Sequence, residues 1–578
     1  MNQYALQRAV PVPMRDGTTL RADVWLPDSS GRWPVLLERT PYDRSSSFMS
    51  QHVVGLEALR ALDAGFAVVI QDTRGRFGSE GTFDPFTHEA DDGEDTVAWV
   101  RRQGFSDGRV AMFGASYIGA TQMLAASRQP EGLQAVAPQL TASEYYEGWT
   151  YSGGAFQLGF AALWVIDSLA GPDLDRRSAL PPGTREAFEE LRRSPAAAFE
   201  HLPTEAAAMA RVAPYWRDWV GHPERDAFWA AIDPSASFLH MGVAGLHIGG
   251  WYDLFLEGTL RNYLGLRREA ATEWARGNQY LVVGPWSHGN PSDWQGDLWH
   301  GYDAAAAALD LTAVHLEFFR ATLGSRPPEL PRVRLFTTGV DKWQEADDWP
   351  VPGARQEALY LDSDGQAATP GRSGELAPTP PTGDAPGDTW ISDPMSPVPT
   401  CGGPTFLPGL LLGRNSGPKD QAAIEARPDV AVYTGPVLGH DMEVTGEVVL
   451  ELYAATDVTD CDWTARLVDV APDGTSRGIV DGVLRARYRH GLDRPTPLVP
   501  GSPELFRVAL GSVSHVFKAG HRARLQVASS NFPRFDRNPQ AFVPVASAPA
   551  ETFRVARQTV FHDAHRPSRL LLPVRPRQ

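Results

Sequence analysis

The chain has 578 residues, of which 42% are hydrophobic and 21% are charged, so it is long enough for several globular domains. Its formal net charge of −17 argues against binding to a phosphate backbone, and we expect no nucleic-acid partner. The sequence contains no apolar run long enough for a membrane helix and no signal-peptide pattern at its start, so we expect no membrane association and a cytoplasmic location. The two cysteines, Cys401 and Cys461, lack metal-ligand spacing; we expect no metal or cofactor, and one bridge between them stays open.

The first part of the chain predicts strands that alternate with helices. Two alternating runs flank a turn at residues 15–17, and buried strands follow at residues 35–37 and in FAVVIQD. The segment EADDGEDTVAWVRRQG predicts a helix, because acids stand in its first turns while Arg101 and Arg102 lie near its end. This alternation predicts a mostly parallel α/β sheet with helices on both faces, in which ligands bind beyond the carboxyl ends of the strands.

The remaining sequence predicts an insertion, a return to the sheet and a β domain. From about residue 141 to 240, helical spacing with many Ala, Glu and Arg predicts a helical insertion. Strands return in VAGLHIGGWYD and NQYLVVGPWSHG, and AAAAALDLTAVHLEFFRATL predicts one long helix. Residues 370–399 have the composition of a linker or a long loop, and the regular short strands beyond them predict a jelly-roll sandwich. We therefore expect an α/β domain in two parts, 1–144 and 241–352, a helical cap at 145–240, and a jelly roll at 353–578.

The segment GRVAMFGASYIGA, residues 108–120, places a serine where a strand becomes a helix. This position is typical of a nucleophile elbow, which exposes the hydroxyl of Ser116 at the edge of the sheet. The usual pattern is G-x-S-x-G, but here Ile118 occupies the second glycine position and Gly119 follows it. Glycine and serine are also ordinary turn residues, so the segment alone leaves both interpretations open.

An aspartate and a histidine follow the serine in the chain order of the α/β-hydrolase fold. Asp253 ends GLHIGGWYD, and His288 lies in the loop after YLVVGPWS. Each would emerge at the carboxyl end of a strand, on the same edge as Ser116, where His288 could take the serine proton and Asp253 could orient the imidazole. The alternatives are a helix N-cap for Asp253 and an ordinary loop position for His288, while His247 is expected in the core.

An oxyanion needs two hydrogen-bond donors. The backbone N–H of Tyr117, which follows the nucleophile, supplies one. The segment PVLLERTPYDR predicts a strand and the start of the loop after it, and this loop contains Tyr42, whose hydroxyl could supply the other. The alternative for Tyr42 is an aromatic ring packed beside Pro41.

Several motifs together resemble one family over nearly the full length of the chain. The motifs are RTPYDR, VVIQDTRGRFGSEG, GRVAMFGASYIG, GGWYD, VVGPWSHG, VRLFTTGVDKW and SSNFPRFDRN. They resemble those of the bacterial cocaine esterase group of acyl hydrolases, which belongs with X-Pro dipeptidyl peptidases and α-amino-acid ester hydrolases. This resemblance implies an α/β-hydrolase domain with an inserted helical cap and a C-terminal jelly roll. It also implies the triad Ser116, Asp253 and His288, the oxyanion donors Tyr42 and Tyr117, and an elbow that reads G-x-S-Y-x-G.

The resemblance further implies an apolar acyl pocket. Its expected members are Trp149, Trp164, Phe255, Phe406, Leu407 and Gln51. The sequence around Phe406 departs from the family pattern, Gln51 needs a short gap, and helical core is the alternative for both tryptophans.

Three functions compete at this point. The first is an esterase that cleaves small-molecule esters with apolar or aromatic acyl groups. The second is an X-Pro dipeptidyl peptidase or an α-amino-acid ester hydrolase or amidase of the same fold, which needs carboxylates to bind an α-ammonium group. Because the residues at positions 254–256 are Leu-Phe-Leu, the sequence favours the first. The third is a non-enzymatic binding protein built on the jelly roll. A homodimer is one expected assembly, although the sequence alone does not fix the oligomeric state.

Overall fold

The computed structural model describes residues 4–46, 55–176, 182–407 and 415–576. Gln51 lies outside these ranges. The described residues form two large β-sheets. A helical segment is inserted in the chain between two strands of the first sheet. None of the described helices is long and apolar enough to cross a membrane.

Ten of the described strands form the first sheet, in the order β1-β2-β4-β3-β5-β6-β9-β10-β13-β14. The strands from β4 to β13 in this order pair in parallel, as the alternation of strands and helices predicts. The predicted hairpin around residues 15–17 joins β1 to β2. Two short hairpins, β7–β8 and β11–β12, lie outside this sheet. The strands are β1 Ala5–Pro13, β2 Thr19–Leu26, β3 Trp33–Thr40, β4 Ala67–Asp72, β5 Ser106–Ala115, β6 Leu133–Gln139, β7 Tyr151–Ser152, β8 Ala155–Phe156, β9 Ala244–Tyr252, β10 Gln279–Ser287, β11 Trp294–Gln295, β12 Leu298–Trp299, β13 Val333–Thr337 and β14 Lys342–Ala346.

Helices cover both faces of this sheet, so the central strands β4, β9 and β10 are buried along their whole length. One apolar cluster contains Val97, Met123 and Leu266, and a second cluster on the other helices contains Leu62 and Phe318. These side chains leave water on folding and stabilise the sheet. The helices are Ala58–Asp63, Glu89–Arg101, Tyr117–Ser127, Leu256–Glu269, Glu273–Gly277, Ala306–Leu309 and Leu311–Leu323.

The predicted long helix AAAAALDLTAVHLEFFRATL is two helices, and the prediction of one was wrong. The break lies at Asp310, whose backbone is left-handed at φ 47°. Its carboxylate accepts the backbone N–H of Ala313 and so caps the second helix. Arg60 also donates to this carboxylate from the neighbouring helix, which holds the break in place.

The predicted helical insertion connects β6 to β9, which are neighbours in the sheet. Its helices pack around buried aromatic rings that include Trp216 and Trp229. One of its segments is a π-helix, Val165–Leu169, and it directly follows the helix Leu158–Trp164. The other α-helices are Ala170–Arg176, Thr184–Arg193, Ala196–Glu200, Pro214–Gly221 and Ala227–Ala230, with 3₁₀ turns at Thr204–Ala206, Ala208–Arg211 and Pro234–His240.

The second sheet contains eleven described strands, with β22 paired to β19 and the others in the order β17-β24-β19-β25-β15-β16-β18-β23-β20-β21. Almost all pairs are antiparallel, as expected for a β domain. The jelly-roll topology itself and the four domain boundaries stay predictions. The strands are β15 Arg355–Asp362, β16 Gly374–Ala377, β17 Asp388–Ser392, β18 Ala431–Thr434, β19 Met442–Thr456, β20 Asp462–Val470, β21 Ser476–Arg485, β22 Glu504–Phe517, β23 Arg522–Ala528, β24 Ala556–Phe561 and β25 Arg569–Arg575, with short helices at Ala422–Glu425 and Ala486–Tyr488.

Residues 370–399 differ from the predicted linker, because they supply strands β16 and β17 to this sheet. Asp388 explains part of the difference. Its buried carboxylate accepts hydrogen bonds from Tyr433 and Ser363, which ties the segment into the domain. Cys401 and Cys461 are both free thiols, so no bridge joins them.

Candidate active site

Ser116 lies in a strained turn between β5 and the helix Tyr117–Ser127. Its φ of 61° and ψ of −127° are rare for a residue with a side chain. A Cβ atom at Gly114 would stand 2.4 Å from Cγ2 of Ile118, and a Cβ atom at Gly119 would stand 2.7 Å from Cβ of Thr141. Both glycines are therefore needed, and the second is needed one position later than the usual motif has it.

Ser116, His288 and Asp253 form a continuous hydrogen-bonded relay. Nε2 of His288 lies 3.1 Å from Oγ of Ser116, and Nδ1 of His288 lies 2.8 Å from Oδ1 of Asp253. The three residues follow β5, β10 and β9, at the carboxyl ends of parallel strands. Asp253 and His288 are buried, so water competes little for these hydrogen bonds. The carboxylate of Asp253 turns to the imidazole and does not cap the helix Leu256–Glu269, in which no side chain makes a cap bond.

The other histidines near these strands have different partners. His247 is fully buried, its Nε2 bonds to Gln279, and burial lowers its pKa to about 4. It is therefore a neutral core residue at pH 7, as expected. His300 bonds to Asp341.

Tyr42 follows β3 and its hydroxyl faces the serine turn. Nε1 of Trp164 donates a hydrogen bond of 3.0 Å to this hydroxyl. Burial raises the pKa of Tyr42 to about 12, against the lowering effects of Trp164, the charge of Arg76 and a hydrogen bond to Ser116. The phenol therefore keeps its proton at neutral pH and can donate it to an oxygen anion.

Tyr117 is the first residue of its helix, so its backbone N–H has no partner within the helix and is available as a donor at the serine. Its ring is anchored on the other side. The hydroxyl donates to Oε1 of Glu89 at 2.9 Å and accepts the N–H of Phe86. Glu89 in turn pairs with the fully buried Arg39, whose Nη1 lies 2.9 Å from Oε2. The sequence analysis missed this support, although an arginine in the apolar strand WPVLLERTPY was a signal for it.

Aromatic rings surround the imidazole of His288. The ring of Phe255 lies 5.1 Å from it and that of Phe406 lies 5.6 Å from it. Trp149 stacks on Phe255 with ring centres 4.1 Å apart. Leu407 belongs to the same buried cluster. The structure thus brings the described members of the expected pocket together, while Gln51 lies outside the described residues. Phe255 follows strand β9 of the first sheet, and Phe406 lies in the connection between β17 and β18 of the second.

The sequence analysis missed Phe160, which connects these rings. Its centre lies 5.8 Å from that of Trp149 and 5.5 Å from those of Trp164 and Phe406. It precedes Trp164 by one helical turn, so both rings lie on the same face of the helix. That spacing was available as a signal.

A cavity of about 260 Å³ lies beside Asp253, between the first sheet, the insertion and the second sheet. Four carboxylates besides Asp253 line it, and donors of the protein bind three of them. Glu257 accepts the N–H and hydroxyl of Ser512, Glu147 accepts the N–H of Gly153, and Asp481 pairs with two arginines. These three carboxylates therefore offer little free acceptor capacity to a cation, whereas Glu447 is the exposed carboxylate of the lining. No cluster of three or more metal-ligating side chains occurs in the described part of the chain.

This sheet, with a serine, a histidine and an aspartate joined at its strand ends, defines a serine hydrolase of the α/β type. The sequence model of the X-Pro dipeptidyl-peptidase (S15 family) matches residues 16–290, and that of the X-Pro dipeptidyl-peptidase C-terminal non-catalytic domain matches residues 328–571. Cocaine esterase from Rhodococcus sp. is 37% identical over 585 residues, which cover 99% of both chains. The chain therefore belongs to the S15 family, and the expectation of a serine esterase with this fold is confirmed.

Two solved structures extend the comparison. An aminopeptidase from the marine sediment archaeon Thaumarchaeota archaeon superimposes with a TM-score of 0.84 and 27% identity. An α-amino acid ester hydrolase superimposes with a TM-score of 0.82 and 26% identity. Each covers 99% of this chain, and each is itself covered to 97%. The family thus includes enzymes that are named for ester and for amino-acyl substrates.

Proposed function

We propose that the enzyme hydrolyses small carboxylic esters with apolar or aromatic acyl groups through a covalent acyl-enzyme. The observation that carries the proposal is the relay from Ser116 through His288 to Asp253, with aromatic rings packed against the imidazole. The named activity of the cocaine esterase relative supports it.

In the proposed reaction, Oγ of Ser116 attacks the ester carbonyl carbon while its proton passes to Nε2 of His288. Asp253 holds the imidazole with N–H at Nδ1 and stabilises the imidazolium. The carbonyl oxygen becomes an anion that accepts hydrogen bonds from the hydroxyl of Tyr42 and the N–H of Tyr117. Collapse of this intermediate breaks the C–O bond, and the leaving alcohol takes the proton from His288. Water then repeats the sequence, releases the acid and restores the serine.

The surroundings of the relay support an apolar acyl group. Phe255 and Phe406 lie beside His288 and Trp149 stacks on Phe255, and an aromatic acyl group in contact with such rings would gain about 1 kcal/mol beyond its burial. An ammonium group would lose water there and would need a carboxylate partner. Two carboxylates of the cavity beside Asp253, at Glu257 and Glu147, already accept hydrogen bonds from the protein, and Glu447 is an exposed carboxylate of the same lining.

An α-amino-acyl substrate is the second candidate. The names of the two structural relatives favour it, as does the acid-lined cavity beside Asp253. Both candidates use the same relay and differ only in the acyl group of the substrate. A comparison of substrates therefore distinguishes them, whereas identification of the reactive serine does not.

The proposal is tested in two stages. The purified enzyme is first labelled with a fluorophosphonate and the adduct is mapped by peptide mass spectrometry. We expect it on Ser116 and not on Ser152 or Ser79, and we expect the Ser116→Ala variant to fold but to lose labelling and turnover. An unlabelled enzyme would support a non-catalytic binding protein. Turnover of p-nitrophenyl esters is then compared with that of amino-acyl p-nitroanilides, and faster anilide turnover would favour the second candidate.

We also propose a cytoplasmic location, a homodimer and the four-part domain division. The free thiols of Cys401 and Cys461 support the cytoplasmic location, because a reducing compartment keeps thiols in this state. Light scattering on the purified protein tests the dimer. Limited proteolysis tests the boundaries at residues 144, 240 and 352.

A further inference from the structure

Arg76 is an arginine beside the Tyr42 loop to which the proposed reaction gives no role. Its side chain is fully buried. Nε donates to the carbonyl of Pro41 at 2.8 Å, while Nη1 and Nη2 donate to the carbonyls of Leu169 and Ser168, each at 3.0 Å. One guanidinium therefore joins the residue before Tyr42 to a segment of the helical insertion that is distant in the chain.

The segment on the other side of Arg76 is the π-helix Val165–Leu169. It continues directly from Trp164, whose Nε1 donates to the hydroxyl of Tyr42 at 3.0 Å. π-helical turns are rare and occur frequently at functional sites. The insertion thus holds Tyr42 at two points, through Arg76 at the backbone and through Trp164 at the hydroxyl.

The charge of Arg76 is compensated within the protein. Asp173 pairs with Nη1 at 2.8 Å, and the rings of Phe77 and Phe83 lie 5.2 and 4.9 Å from the guanidinium carbon. A planar guanidinium presents its donors in a fixed fork, which lysine cannot reproduce from a single nitrogen. The fork therefore sets the distance between the two segments.

We propose that Arg76 is a positioning residue for the oxyanion hole, because it fixes the Tyr42 loop against the π-helix. The inference rests on the proposed function, since it requires Tyr42 to donate to the anion. A donor of this kind acts only within about 2.7–3.1 Å of the developing charge. A shift of about 1 Å in such a group can lower the rate by about 10²-fold. Arg76 exchanges no proton and touches no reacting atom.

The first test compares Arg76→Lys and Arg76→Leu with the wild type on one p-nitrophenyl ester. We expect kcat to fall about tenfold for the lysine variant and about 30- to 100-fold for the leucine variant. We expect KM to stay within about threefold, because the anion donor acts in the transition state and not on the bound ester. A folded leucine variant with the kcat of the wild type would overturn the proposal.

The second test is a double-mutant cycle that combines Arg76→Leu with Tyr42→Phe. It distinguishes positioning of the Tyr42 hydroxyl from a merely structural role of Arg76, for which the two losses of kcat would be independent. Once the hydroxyl is absent, its position no longer matters, so Arg76→Leu should lower kcat by less than about threefold in the Tyr42→Phe enzyme. An equal loss in both backgrounds would mean that Arg76 acts independently of Tyr42 and would also overturn the proposal.

Arg74→Leu is the matched control. Arg74 lies two residues earlier and donates to Asp92, Asp16 and Thr18 instead of the Tyr42 loop. Its loss should lower the melting temperature while kcat of the folded enzyme stays within about threefold.

If Arg76→Leu does not fold by circular dichroism, Arg76→Lys takes its place in the cycle. Fluorophosphonate labelling of Ser116 in the wild type tests the proposed function by itself. If Ser116 is labelled but the losses of kcat caused by Arg76→Leu and Tyr42→Phe are additive, only the role of Arg76 is overturned.

Discussion

The indole nitrogen of Trp164 donates to the hydroxyl of Tyr42 and so occupies an acceptor site of that oxygen. The hydroxyl proton is left to point elsewhere, and Ser116 is a further hydrogen-bond partner of this hydroxyl. Trp164 thus belongs both to the aromatic cluster and to the support of the proposed oxyanion donor.

Tyr42→Phe keeps the ring and removes only the hydroxyl. We expect kcat to fall by about 10²–10³, because one oxyanion donor is lost. KM should change much less, since the donor acts mainly in the transition state. Steady-state kinetics on one ester measures both parameters. A kcat within about threefold of the wild type would assign Tyr42 a packing role only.

Asp253→Asn should retain the fold but not the correct imidazole tautomer. The asparagine amide would donate toward Nδ1 of His288, which leaves the proton on Nε2, where it cannot accept the serine proton. We expect kcat to fall by about 10⁴. Single-turnover acylation measures this loss, and circular dichroism checks the fold. Near-normal acylation by this variant would exclude Asp253 from the relay.

An uncharged phenylacetyl ester should be hydrolysed faster than the phenylglycyl ester of the same alcohol. The ammonium group of phenylglycyl would be desolvated among Trp149, Phe255 and Phe406 without gaining a carboxylate partner from these residues, at a cost of several kcal/mol. We expect kcat/KM to differ by two or more orders of magnitude at a pH at which the amine is protonated. The matched comparison is the same pair at a pH above the amine pKa, where the difference should shrink. Equal kcat/KM values for the protonated pair would favour the amino-acyl candidate.

Glu147→Gln should change how stability depends on pH. Burial raises the pKa of Glu147 from 4.5 to about 7, with the hydrogen bond from Gly153 opposing it. The folded state therefore binds this proton more tightly than the unfolded state, and the wild type loses stability as the pH rises from about 4.5 to about 7. The glutamine variant lacks this loss, so its stability relative to the wild type should increase between pH 5 and pH 8.

Urea unfolding of both proteins across this range measures the effect. Glu375→Gln, at an exposed position of β16, is the control and should follow the wild type. Parallel stability profiles for the wild type and Glu147→Gln would contradict the prediction.

The sequence predicted the relay residues because each directly follows a buried strand, and the carboxyl ends of parallel strands meet at one edge. It also predicted the first sheet, since strand and helix periods differ clearly there. The break at Asp310 was missed because it depends on a cap and a contact with Arg60, which lies far away in the chain. The role inferred for Arg76 could not be read either, since its partners meet only in the folded protein.

Composition misled at residues 370–399, where proline and glycine suggested a linker. The strands there pair with β15, β18 and β24, and Asp388 bonds to Ser363 and Tyr433; these partners lie outside the segment and leave no local pattern. Phe406 is a related case. Its place beside His288 is set by the packing of one sheet against the other, and it was assigned through resemblance alone.

Strand β25, Arg569–Arg575, follows every other described strand in the chain but lies between β15 and β19. During translation, β15 and β19 therefore leave the ribosome long before β25, which pairs with both of them. Until β25 emerges, β15 and β19 each expose an unpaired edge, and the second sheet is incomplete. Phe406 belongs to the part of the chain that forms this sheet. Full esterase activity should appear only after Arg575 has left the ribosomal tunnel, and messages truncated before Arg569 should yield aggregation-prone products.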